Sequence, residues 1–269
     1  MKKFFLLSIF CFLITSCEKE IDLDLDDKSG DLVIEGNLSD QAGPQTVKIT
    51  KSVPFTAQNQ YPAVSDAVVT VSDNLGQNET LQYAGNGEYK TVNFTTAPGR
   101  LYTLTVKADG KDYTAQSRMP QPVSFDGLDQ DSFLIGGEPT YTLLPLFTDP
   151  QEVGNRYLFS FTINNNPKKT IQTFSDNVNN GLPNQRPLIL SNDDSNPTDQ
   201  KVKVGDIIYV EMQCIDAPIF TFYNALLQIS GNGGPGGGIT PTNPPSNISN
   251  GALGYFSAHT SRKRSIVIQ

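Results

Sequence analysis

GRLYTLTVKADGKDYTAQSR, residues 99–118, is the stretch whose reading decides the fold. Tyr102, Leu104 and Val106 alternate with Thr103, Thr105 and Lys107. That is the two-residue period of a strand with one dry and one wet face. Asp109-Gly110 then interrupts the pattern, and "KDYTAQSR" resumes it. Asp-Gly suits a two-residue turn that needs positive φ at both positions, so the stretch reads as a β-hairpin.

Working outward, the same texture fills residues 31–118. "DLVIEGN", "QTVKITK", "DAVVTVSD", "TLQYAG" and "GEYKTV" are short, rich in β-branched and aromatic residues, and separated by turn residues. "GNGE" (Gly85–Glu88) marks a second hairpin. Seven short strands in so little chain predict an immunoglobulin-like or transthyretin-like sandwich. "MPQPV" (Met119–Val123) ends it, because two prolines cannot continue a central strand.

Residues 119–269 read as a second β-rich domain. Its expected strands are "TYTLLPLF", "RYLFSFTI", "KTIQTF", "RPLIL", "KVKVGDIIYVEMQCI", "GALGYFSAH" and, separately, "RSIVIQ". The basic run Arg262-Lys263-Arg264 is expected at an exposed strand start. One helix is predicted over 216–230, with Asp216 as cap, Pro218 in the first turn and Gly231 beyond the end. Ile219, Phe222, Tyr223, Leu226 and Ile229 recur at helical spacing, which gives the helix one apolar face for the sheet. Residues 231–247 form a Gly/Pro-rich loop without the Gly-Lys-Ser/Thr ending of a phosphate loop.

The start of the chain carries an address. Lys2 and Lys3 precede the eleven uncharged residues "FFLLSIFCFLI", followed by Thr15, Ser16 and Cys17. A basic start and a short apolar core make residues 1–16 a signal peptide rather than a membrane span. "ITSC" resembles a bacterial lipobox, so Cys17 is the expected lipidation site and membrane anchor, each buried acyl methylene contributing about 0.8 kcal/mol. Residues 17–30, with "EKEIDLDLDDKSG", are an acidic tether. The formal net charge of −8 argues against nucleic acid as a partner, since Lys and Arg clusters supply most of that affinity.

Catalytic chemistry finds little to work with. Of three cysteines, Cys11 leaves with the signal and Cys17 carries lipid, so Cys214 stands alone in an apolar strand where an inert thiol is expected. With His259 as the single histidine, no zinc cluster can be assembled and no cofactor is expected. His259 lies in or beside a strand, which favours a structural role over a Ser-His-Asp set. Asp193, Asp194 and Asp199 share a polar loop but lack the burial that would tune an acid and a base for glycoside hydrolysis. In the tail, Asn247, Asn250, Gly251 and Gly254 suit a tight turn entering a strand, with Tyr255 and Phe256 on opposite faces. This motif is either a binding site or a structural pin for the long loop, the pin being favoured.

The mature chain resembles the Bacteroidota lipoprotein family called domain of unknown function 4249. The likeness rests on Cys17-Glu18 with the acidic leader, "LVIEGNLSD", "AVVTVSDNLG", "GEYKT" and "PGRLYTLTVKADGKDYTA". It continues through "FTDP" before "NRYLF", "GDIIYVEM" and the closing "NPPSNISNGALGYFSAHT". The resemblance implies an outer-membrane, surface-exposed lipoprotein, encoded beside a TonB-dependent receptor and serving it as a non-catalytic binding or accessory component. It supplies no catalytic residues. A structural or adhesive surface protein and a surface glycan hydrolase are the alternatives.

Overall fold

A computed structural model describes residues 29–54, 60–135, 137–164, 166–175, 180–190, 201–229 and 243–269. The expected signal peptide, Cys17, nearly all of the expected tether, Asp193, Asp194, Asp199 and residues 230–242 lie outside the described residues.

The protein is mainly β, with one helix among the described residues. The strands of the first half are β1 (Leu32–Ser39), β2 (Thr46–Lys51), β3 (Val68–Asp73) and β4 (Asn78–Thr80). They continue with β5 (Gln82–Gly85), β6 (Glu88–Lys90), β7 (Leu101–Ala108) and β8 (Lys111–Arg118). The second half adds β9 (Gly127–Ile135), β10 (Glu138–Leu146), β11 (Arg156–Ile163), β12 (Thr170–Ser175) and β13 (Leu188–Ile189). It ends with β14 (Ile207–Cys214), the helix α1 (Ala217–Leu227) and β15 (Leu253–Val267).

The expected hairpins form as their turn residues dictate. β7 and β8 pair from Leu101↔Arg118 to Ala108↔Lys111, with Asp109 at φ 50° and Gly110 at φ 72°. Asn86 and Gly87 turn β5 into β6 in the same way, at φ 51° and 78°. Alternation then decides what is buried. Tyr102, Leu104, Val106 and Ala108 face inward from β7, while Tyr113 and Ala115 do so from β8.

Three sheets result. An eight-stranded sheet runs in the order β12-β11-β14-β15-β1-β2-β6-β5, a four-stranded sheet in the order β4-β3-β7-β8, and a three-stranded sheet in the order β13-β10-β9. The four-stranded sheet closes over one half of the long sheet. Val69, Val71, Tyr102 and Leu104 meet Ile34, Leu38, Val47 and Ile49 in the first core. The three-stranded sheet closes over the other half, where Leu143 and Leu188 join Phe159, Phe161, Val210 and Met212 in a second core. Full burial of side chains this size contributes about 1.5–3 kcal/mol each. Two sandwiches therefore share one long sheet.

The shared strand corrects the sequence reading. "GALGYFSAH" and "RSIVIQ" are not two strands but one, β15, fifteen residues long. Its first half pairs parallel with β1, from Val33↔Leu253 to Ser39↔His259. Its second half pairs antiparallel with β14, from Cys214↔Thr260 to Ile207↔Val267. The basic run Arg262-Lys263-Arg264 therefore sits inside a strand rather than at a strand start. Its polarity is satisfied by distant partners. Asp40 accepts from Ser261 N at 2.8 Å and from Arg262 Nη1 at 2.7 Å. The chain also crosses the expected division at residue 118 a second time, since Ile248, Ala252, Phe256 and Ala258 belong to the first core.

Close approach sets the glycines at this seam. Gly254 has φ 91°, and a methyl group there would stand 2.1 Å from the Ile34 carbonyl oxygen. At Gly36 an added Cβ would meet the Phe256 ring at 2.7 Å. Strands β4 and β9 were not anticipated. β4 is only three residues, and most of the β9 stretch "GLDQDSFLI" carries no two-residue alternation because most of its side chains are exposed.

Candidate functional site

The helix converts the outer face of the long sheet into a recess. Asp216 caps α1 by accepting from Ile219 N at 3.3 Å. Its second carboxylate oxygen accepts from Ser117 Oγ at 2.8 Å and Arg118 N at 3.1 Å, which ties the helix start to the end of β8. Burial pushes the Asp216 carboxyl up despite those bonds. The α-helix spans Ala217–Leu227, and residue 230, its expected end, lies outside the described residues. Ile219 and Phe222 are its buried residues, and with Tyr223 they seat it on the sheet.

Two-residue periodicity places Tyr255, Ser257, His259 and Ser261 of β15 on the outer face, opposite Phe256 and Ala258. Register brings Glu35 and Asn37 of β1 beside Tyr255 and Ser257, and Gln213 and Glu211 of β14 beside Ser261 and Lys263. The Tyr255 ring packs between Phe222 and Tyr223, with centroids 4.9 and 5.3 Å away. The Tyr255 hydroxyl accepts from Asn37 Nδ2 at 3.3 Å and is hydrogen-bonded to Tyr223. Burial pushes both phenols up, so both stay neutral.

Asn37, Ser160, Gln213, Tyr223, Tyr255 and His259 line a recess of about 280 Å³. Ser160 and Lys169 also line an adjoining recess of about 330 Å³, with Tyr209, Glu211 and Lys263. His259 is 5% exposed, and its Nδ1 lies 3.0 Å from Ser257 Oγ. Burial lowers its pKa to about 4, against the pull of the Glu211 and Asp40 charges. Burial works to raise the Glu211 carboxyl, but the Ser261 and Gln213 hydrogen bonds and the Lys263 and Lys169 charges outweigh it and hold the pKa low. The site thus combines a neutral imidazole, amides, hydroxyls and one ionised carboxylate. A weakly basic imidazole partnered by a buried serine hydroxyl, with the nearest carboxylate engaged elsewhere, suits hydrogen bonding more than proton transfer.

The motif residues expected from the sequence divide between two tasks. Asn247 accepts from Phe256 N at 2.9 Å and donates to Phe256 O at 2.8 Å and Gln116 O at 3.3 Å. Asn250, at φ 58°, donates to Asp112 O. Gly251, at φ 76°, completes the turn. Ser249 adds a bond to Thr114 O at 2.8 Å, so 247–251 are laced to β8. Phe256 belongs to the first core, while Tyr255 alone of the six reaches the recess. Cys214 is buried in the second core, which pushes its thiol up.

Sequence reading missed Asn37, Ser160, Lys169, Gln213 and Glu211. Glu211 and Gln213 do stand at the polar positions of "IIYVEMQC", but this marks a wet face and not its neighbours. Among the described residues no group of His, Cys, Asp and Glu is arranged to hold a metal ion, and no helix is long and apolar enough to cross a membrane.

The family model described as "Domain of unknown function (DUF4249)" matches residues 18–265. The chain belongs to the DUF4249 family. That match spans both sandwiches and the seam between them, and its description assigns no activity. A search of curated proteins finds no match. Among solved structures, this DUF4249 chain is similar to a two-domain fibronectin type-III segment of chicken tenascin. The identity is 13%, over 71% of this chain and 93% of that one, with a TM-score of 0.24. A cytokine receptor complex is similar at 9% identity, over 88% of this chain and 96% of that one, with a TM-score of 0.26.

Proposed function

We propose that this protein is a lipid-anchored component of a Bacteroidota cell envelope. It serves there as a non-catalytic binding or accessory partner of a TonB-dependent outer-membrane nutrient receptor. The observation that carries the reading is the leader: Lys2 and Lys3, an apolar run, and Cys17 at its end, followed by an acidic tether. Several acyl chains on one cysteine hold a water-soluble body at a bilayer where a single chain does not. The polar recess under α1 supports the binding role, because apart from Lys169 its polar lining groups are neutral hydrogen-bonding side chains.

Mass spectrometry of the native protein should find a diacylglycerol thioether on Cys17, and Cys17→Ser should move the protein out of the membrane fraction. Affinity purification of the native protein from its host should recover a receptor of the TonB-dependent class. An unmodified cysteine on soluble material overturns the anchor, and capture without any such receptor overturns the partnership.

A second reading, a structural or adhesive surface protein, draws on the β9–β10 hairpin. Phe133, Leu134 and Ile135 stand at 48%, 73% and 60% exposure beside its turn. Deletion that weakens attachment but leaves uptake intact would favour it.

A further inference from the structure

The two recesses on the outer face of the long sheet lie side by side, with Ser160 and Lys169 common to both, and are taken together as one groove. Its ends differ in chemistry. Apart from Lys169, which both ends share, the inner end is uncharged: Tyr223 and Tyr255 form an aromatic wall, and Asn37, Gln213 and His259 bring amide and imidazole atoms. Asn37 donates to Tyr255 and Gln213 is bonded to Glu211, which leaves the two amide carbonyl oxygens as acceptors. Nδ1 of His259 is engaged by Ser257 Oγ, and the almost fully buried ring lines the inner recess. Neutral donors and acceptors held in a half-buried recess match the hydroxyl groups of a ligand and disfavour analogues that leave them unpaired.

The outer end carries the ammonium groups of Lys169 and Lys263. Glu211 is the carboxylate lining that end, and its bonds to Ser261 and Gln213 hold it against the sheet. With Arg264 also lining that end, cationic groups outnumber the carboxylate there, in a protein whose net charge is −8. A local field opposite to the protein's own marks the end where an anionic group is received. At about 280 Å³ the inner recess lies just under the range of about 300–1,000 Å³ typical of small-molecule pockets, which restricts the ligand to about one ring.

The geometry points to a binding site for a small hydroxylated carboxylate, of the size of a single sugar acid. Its carboxylate lies at Lys169 and Lys263, and its hydroxyls meet Asn37, Gln213 and His259. This rests on the reading of the protein as a binding component, and names the ligand class of that role. The site needs neither the anchor nor the receptor.

The test is calorimetric titration of the full mature chain with glucuronate, glucose and inorganic phosphate. Glucuronate should bind, with glucose and phosphate each at least tenfold weaker because each satisfies one end only. Lys169→Glu changes an exposed residue, and its unaltered melting temperature serves as the control for folding. It should weaken glucuronate at least tenfold and leave glucose unchanged, while Gln213→Ala should weaken both sugars. Equal affinity for phosphate and glucuronate overturns the hydroxyl-binding inner end. Glucuronate affinity unmoved by Lys169→Glu overturns the anion end. Absence of glucuronate binding overturns the site as a whole. Since titration uses the chain in solution, such a failure with lipidation and receptor capture intact would leave the envelope role standing.

Discussion

Replacing Gly254 by alanine tests the seam that joins the two sandwiches. Two separate costs arise. The first is conformational: at φ 91° an L-residue is strained by about 1–2 kcal/mol wherever it sits. The second is steric and belongs to this position. The new methyl group would stand 2.1 Å from the Ile34 carbonyl oxygen, 2.9 Å from its carbon and 3.1 Å from its nitrogen. Those atoms are the backbone of β1, paired with Gly254 in the parallel ladder, and no side-chain rotation relieves them. β1 and β15 must separate locally, losing at least one ladder hydrogen bond at about 0.5–1.5 kcal/mol and loosening the packing of the fully buried Ile34. The total is about 1.5–3.5 kcal/mol, a large share of the ~5–15 kcal/mol that holds a typical protein folded.

Gly205 supplies the control, because it has the same φ of 91° and nothing within 4 Å of an added Cβ. Gly205→Ala should cost only the conformational part, about 1–2 kcal/mol. Urea unfolding, followed by far-ultraviolet circular dichroism and tyrosine fluorescence, reads both. The expected result is a Gly254→Ala loss larger by about 0.5–1.5 kcal/mol. Equal losses at the two sites would refute the close parallel contact between β1 and β15.

Two further substitutions probe the site and its latch. His259 is the chain's single histidine, and its folded pKa of about 4 lies below its ordinary 6.5. The folded state therefore resists the proton that the unfolded chain accepts, and stability contributed above pH 6.5 is lost as pH falls toward 4. The shift corresponds to about 3 kcal/mol. Asp216, whose carboxyl is raised by burial, works in the opposite sense. The comparison to make is thus the pH slope of unfolding in the wild type against His259→Gln. The variant should lose much of the stability change between pH 6.5 and 4.5, and an unchanged slope would show the imidazole to be solvated. Asn247→Ala removes the paired bonds to Phe256 N and O, and should lower stability by about 1–3 kcal/mol in the same urea assay. A loss below about 0.5 kcal/mol, the range of an ordinary surface change, would remove the latch role.

Local periodicity made most of the strands legible. "LYTLTVKADGKDYTAQSR" specifies a hairpin because the turn residues and the alternation are set by neighbours within a few positions. The helix was legible for the same reason, from Asp216, Pro218 and its apolar spacing. The structure departs from the expectation at Ser261 and Arg262, where the polar run reads as the exposed start of a separate strand. Asp40 and Glu211, lying 50 residues or more away along the chain, make those side chains tolerable inside β15. The recess was not legible for a related reason. Asn37 and Tyr255 are 218 residues apart in sequence, and nothing local to either marks the other as its neighbour.

The amino-acid sequence by itself determined the β character, the hairpins and the capped helix, since each follows from residues close together along the chain. Only the tertiary structure decided that β15 joins two sandwiches and that its outer face, roofed by α1, gathers Asn37, Gln213, Tyr255 and His259. The physical reason is that a strand's alternation prescribes which side chains share a face. Which strands lie beside it depends on how two cores, distant along the chain, exclude water together.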